Sequence, residues 1–208
     1  MAFITHCCTS PWPSRLRWWA LLAVLALFGL TARAENAELT SLRVERNDEG
    51  LFLTARVGFE LSSVVEDALR KGIPIHFVAE AQVLRERWYW YDRDVASAQR
   101  YMRVAYQPLT RRWRLNTSSE PIVNVGLGVS LAQNYDSLAE AITAVQRIAR
   151  WKIASASDVD GDGRYTLRFR YRLDASQLPR TLQIGSVGHS DWVVSVERRI
   201  DLTPELAR

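Results

Sequence analysis

The chain has 208 residues, 24% of them charged, and a formal net charge of +4, a length that suits one domain with a substantial core. Its two cysteines, Cys7 and Cys8, stand at the start, so the rest of the chain offers no disulfide, no thiol nucleophile and no thiolate metal ligand. Beyond residue 34 only His76 and His189 remain, which leaves little for general-base or histidine-metal chemistry.

Arg15 and Arg17 precede an apolar run from Trp18 to Leu30, and Ala32-Arg33-Ala34 sets small residues at both recognition positions before Glu35. This is the layout of a secretory signal peptide cleaved before Glu35, with residues 35–208 as a single β-rich domain. As helix the run rises only about 20 Å, short of the hydrocarbon layer of about 30 Å, so a retained anchor is the weaker reading. No cysteine follows the cut to accept a lipoprotein acyl chain. Losing Arg15, Arg17 and Arg33 leaves 24 basic residues against 23 acidic ones, a net charge of +1.

Leu42 and Val44, then Leu51 to Phe59, alternate apolar and polar residues, and Asn47-Asp48-Glu49-Gly50 supplies turn chemistry between them. A hairpin is expected. Ser63 and Glu66 form a capping box for a short helix carrying Val65, Ala68 and Leu69 on one face, stopped at Gly72 and Pro74. Ile75 to Tyr91 reads as a long strand that must bend, with the aromatic tip Trp88-Tyr89-Trp90-Tyr91 beyond the bend. Alternation sends Trp88 and Trp90 to one face and Tyr89 and Tyr91 to the other; one face is expected in the core and the other as a contact surface.

Further strands are expected at Tyr101–Gln107, Arg112–Asn116 and Ile122–Leu131. A second capping box, Ser137 and Glu140, opens a helix whose apolar stripe runs from Leu138 through Ile148 and Ala149 to an exit at Trp151. Asp158-Val159-Asp160-Gly161-Asp162-Gly163 places acids at positions one, three and five of a calcium loop and glycine at six. Position twelve, which should be a bidentate glutamate, is Phe169, and the flanks read as strands. The segment therefore reads as a solvated turn with weak or no calcium binding, and no other metal or cofactor is expected.

Tyr165 to Leu173 alternates again, with Arg168, Arg170 and Arg172 in one outward row, and Trp192, Val194 and Val196 begin a last strand. In Asp174-Ala175-Ser176-Gln177-Leu178-Pro179, Asp174 and Ser176 suit a hydrogen-bonded turn and Leu178 a core plug. Many short strands with two interrupting helices predict a mainly β protein: an antiparallel β-sandwich, immunoglobulin-like or a curved half-barrel.

Gly72-Ile73-Pro74-Ile75, Arg87-Trp88-Tyr89-Trp90-Tyr91-Asp92, Tyr106-Gln107-Pro108-Leu109-Thr110, the stretch from Leu138 to Trp151, and residues 173–179 together resemble the uncharacterised DUF4390 family of exported bacterial proteins. The resemblance runs from about Leu39 to Ile200 and implies a periplasmic envelope protein of a Gram-negative bacterium, without an activity to carry over. It also implies a possible partner, a membrane sensor histidine kinase encoded near family members.

The expected role is therefore non-enzymatic binding to an envelope or membrane protein, through Trp88, Tyr89, Trp90 and Tyr91 or through Arg168, Arg170 and Arg172. The alternative is an anionic lipid or lipopolysaccharide module that uses the arginine row, reinforced by Arg100, Arg103, Arg111, Arg112 and Arg114 if the two strand groups are neighbours. Against this, such arginines ordinarily pair with acids such as Glu80, Glu86, Asp92 or Asp94. Nucleic acid is not an expected partner of an exported chain. A hydrolase is the least favoured reading: His189-Ser190-Asp191 are consecutive and cannot easily converge as a triad, and Glu80 and Glu86 have no spacing that sets them up as a carboxylate pair.

Overall fold

Strand alternation at residues 51–59 becomes β2 (Gly50–Phe59), with Leu51, Leu53, Ala55, Val57 and Phe59 all buried. β1 (Ala37–Asn47) pairs antiparallel with it, and the expected turn forms: Asn47 Oδ1 accepts the N–H groups of Glu49 and Gly50 at 3.0 and 3.1 Å. Gly50 sits at φ 137°, where a Cβ would lie 2.1 Å from the carbonyl oxygen of Ala154. The computed structural model describes residues 37–87, 89, 91–122, 131–159, 163–179 and 192–203.

Helix α1 (Ser63–Arg70) starts one residue earlier than its capping box suggested, because Ser62 is the N-cap and its hydroxyl accepts Val65 N–H at 3.3 Å. Val65, Ala68 and Leu69 are buried as expected, and Gly72 at φ 81° ends the helix. Helix α2 (Leu138–Gln146) is capped by Ser137, whose hydroxyl accepts Glu140 N–H at 3.2 Å. It is shorter than its apolar stripe. Arg147 leaves the helical region at φ −109°, ψ 117°, and Ile148 and Trp151 belong to strand β7 (Arg147–Ser155), paired with β2. β-Branched Ile148 and Ile153 suit a pleated strand, and the ladder to β2 prevails over the helical spacing.

The remaining strands form a meander and its return: β3 (Ile75–Arg85), β4 (Arg93–Gln107), β5 (Arg112–Ser118), β6 (Leu131–Tyr135), β8 (Tyr165–Leu173) and β9 (Ser195–Asp201). β3 is shorter than the sequence suggested. It stops at Arg85, with Glu86 N–H bonding Arg164 O at 3.0 Å one step further along the β3–β8 register. β4 is correspondingly longer, starting at Arg93 and bulging opposite Val83 and Leu84. Most of the strand expected at 122–131 lies outside the described residues. Trp192 and Val194 are buried but precede β9.

Two antiparallel sheets result, ordered β1-β2-β7 and β6-β5-β4-β3-β8-β9, with no closed barrel among the described residues; this is the expected β-sandwich. The inner faces share one core. Phe59 of the small sheet meets Phe77 and Tyr171 of the large one, with ring centroids 5.4 and 5.9 Å away. Ala79 and Ala81, both fully buried, leave room for Phe169 and Tyr171 on the adjacent strand. No charged side chain is buried among the described residues. None of their helices is long and apolar enough to cross a membrane.

Candidate binding surfaces

The period-2 pattern of β8 turns Arg168, Arg170 and Arg172 to the outer face of the large sheet, as expected. Register then sets Arg170 between Glu80 of β3 and Glu197 of β9. Arg170 donates from Nε and Nη2 to Glu197 Oε2 at 3.1 and 2.8 Å, and Arg168 Nε lies 3.7 Å from Glu197 Oε1. Arg172 donates to Glu80 at 3.1 Å, with Asp174 at 3.8 Å. The Arg170 hydrogen bond holds the Glu197 carboxyl below its usual range, with charge from Arg168 and Arg199 adding to it. Of the acids expected as partners, Glu80 takes this part, whereas Glu86 accepts the Thr166 hydroxyl at 2.9 Å.

The second arginine group does not extend this row. β3 separates β8 from β4, and Arg100 lies on the inner face opposite Ala79, its guanidinium 5.1 Å from the Trp151 ring centroid. Arg112 pairs with Asp136 at 3.2 Å. Arg103 faces outward across from His76. His76 is half-buried, and its enclosed Nδ1 has no hydrogen-bond partner among the described residues. Burial lowers its pKa, the Arg103 charge lowers it further, and Asp174 opposes both.

The Asp174 turn is built as read. Asp174 Oδ1 accepts Ser176 N–H at 3.2 Å and the Ser176 hydroxyl at 2.6 Å, and Leu178 is buried. Tyr89 and Tyr91 are 66% and 86% exposed, and they do not alternate across a strand because β3 has already ended. Trp88 and Trp90 lie outside the described residues, as do Asp160, Asp162 and His189-Ser190-Asp191. Asp158 closes a short 3-10 turn, Ala156–Asp158, with its carboxylate accepting Ser155 N–H at 2.8 Å. Phe169, the twelfth residue counted from Asp158, is in the core. Among the described residues no cluster of three or more His, Cys, Asp or Glu could hold a metal ion.

One feature escaped sequence reading. A groove of about 460 Å³ opens between α1 and α2 at the end of β2, with Phe59, Leu61, Leu138 and Ile142 among its walls and Glu60, Glu66 and Arg70 at its polar side. Glu66 and Arg70 are 3.8 Å apart, an i,i+4 pair on α1. Gln146 fixes the far end of α2 to β2 by donating to Phe59 O at 2.7 Å. The available signal was Leu61. It precedes the cap of α1, where a staple needs an apolar residue at the fourth helical position, and that position is Glu66.

The fold thus defines a two-sheet antiparallel β-sandwich with helices walling one groove. The DUF4390 family, described as a domain of unknown function, matches residues 34–201, and the chain belongs to that family. No curated protein and no solved structure matches the chain.

Proposed function

We propose that the protein is an exported, non-enzymatic binding protein of the bacterial envelope. Residues 1–34 act as its signal peptide, and the remainder works in the periplasm. The groove between α1 and α2 carries the reading: its volume of about 460 Å³ lies in the range of ligand-sized clefts, and its walls are apolar beside Glu60 and the Glu66–Arg70 pair, which leaves the polar side one net negative charge. An apolar segment with a basic residue, presented by an envelope or membrane protein, matches both features. The family resemblance makes a membrane sensor histidine kinase the first partner to examine. Lipid binding through Arg168, Arg170 and Arg172 is less favoured, because Glu197, Glu80 and Asp174 already lie against those guanidiniums.

A photo-crosslinker at Ala139, which lines the groove, should capture one membrane protein in cells, and the same probe at Glu140 should not. Ile142→Glu should abolish the capture while leaving the fold intact, since Ile142 is only half-buried. Equal capture from both positions, or persistence in Ile142→Glu, would reject the groove. Chain found only in the cytosol, without a form that begins at Glu35, would reject export.

A further inference from the structure

The outer face of the three-stranded sheet differs in kind from that of the larger sheet. Register places Glu45, Phe52 and Lys152 in one cross-strand row and Ser41, Arg56 and Arg147 in another. Between these rows Arg43 faces Thr54, whose hydroxyl oxygen accepts Arg150 N–H at 3.3 Å. Arg150, at φ 41° in the bulge of β7, holds its guanidinium 5.7 Å from the Phe52 ring centroid. Five exposed cations, Arg43, Arg56, Arg147, Arg150 and Lys152, therefore share one face.

β2 and β7 contain no carboxylate, so the acids of this face, Glu38 and Glu45, are confined to β1. None of the five cations makes an ion pair among the described residues, whereas Arg168, Arg170 and Arg172 each have a carboxylate within 4.0 Å. The cations are also dispersed over three strands. Strands about 4.8 Å apart, with same-face residues about 7 Å apart along each, set their Cα positions across one sheet face and not around one point. A single phosphate would need convergent donors. A spread of separate cations around a half-buried aromatic ring complements a spread of separate anions at an apolar boundary.

We infer that this face docks the protein on a membrane surface rich in anionic phospholipid headgroups. Arginine forks fit phosphate oxygens bidentately, and no internal salt bridge has to break before they do so. Phe52 supplies the apolar contact at the headgroup boundary. The site is separate from the groove, so either can fail without the other.

The test is co-sedimentation of the purified protein with vesicles of phosphatidylethanolamine and phosphatidylglycerol, compared with phosphatidylcholine alone. Binding is expected to the anionic vesicles only. It should be released as salt rises from about 0.01 M to about 1 M, which contracts the Debye length from about 30 Å to about 3 Å. Each cation near an anionic surface is worth about a fivefold change in partition, so Arg147→Gln with Lys152→Gln should weaken binding about 25-fold. Arg168→Gln with Arg170→Gln on the other sheet should leave it unchanged. Both pairs replace surface side chains, and matching thermal melts establish that the fold is kept. Equal binding to neutral vesicles, indifference to salt, loss in the Arg168 and Arg170 variant instead, or association with an acidic protein and no vesicle would each overturn the inference.

Discussion

Burial and Arg103 act together on His76, making the folded protein a poorer proton acceptor at this ring than the unfolded chain. A base with a lowered folded pKa contributes full stability above its unfolded value, near 6.5, and loses it as pH falls through the folded value. Denaturant melts from about pH 7.5 down to about pH 5 should therefore show stability falling, and His76→Gln should flatten part of that fall. Arg103 and Asp174 are the charged neighbours that act on the ring, so they are the background against which the variant is compared. Identical slopes in the two proteins would show that the enclosed Nδ1 does not govern the acid limb. The sequence disclosed a strand from Ile75 that carries this histidine. It could not disclose the Arg103 opposite, which depends on the β3–β4 register.

At the level of elements, alternation was readable wherever a strand buries one face, as in β2 and β8, because the side-chain period is then fixed by the core. The end of α2 was not readable. Ile148 and Trp151 satisfy helical spacing from Leu138 and also pair with β2, and only the long-range ladder decides between the two. The candidate surfaces were hidden for the same reason: the groove joins residues 59–70 to 138–142, and the cationic face joins β1 and β2 to β7. The β1–β2 turn, by contrast, is local, and its chemistry was written in Asn47 to Gly50. Gly50→Ala tests how tightly β7 closes on it. At φ 137° the new methyl meets the Ala154 carbonyl, so the variant should lose about 1–3 kcal/mol or more in a urea melt. A neutral result would mean that β7 can retreat from β2 at little cost.

For the molecule as a whole, stability depends on contact between two sheets that no disulfide joins, since residues 35–208 contain no cysteine. Phe77 stands at that contact: it is fully buried on β3, 5.4 Å from the Phe59 ring across the sandwich and 6.0 Å from Tyr171 beside it. Truncating such a phenylalanine removes its transfer free energy and leaves a cavity that rigid sheets fill only in part, at a cost of about 3–5 kcal/mol. Domains of this kind hold about 5–15 kcal/mol in all, so Phe77→Ala should bring the protein near the edge of folding at 37 °C. Its urea midpoint should fall sharply while the slope stays unchanged, the mark of lost stability within an unaltered two-state transition. Adding reductant should move neither protein. If instead the slope fell with the midpoint, the sheets would be separating in stages, and the Phe59, Phe77 and Tyr171 cluster would hold only one part of the sandwich.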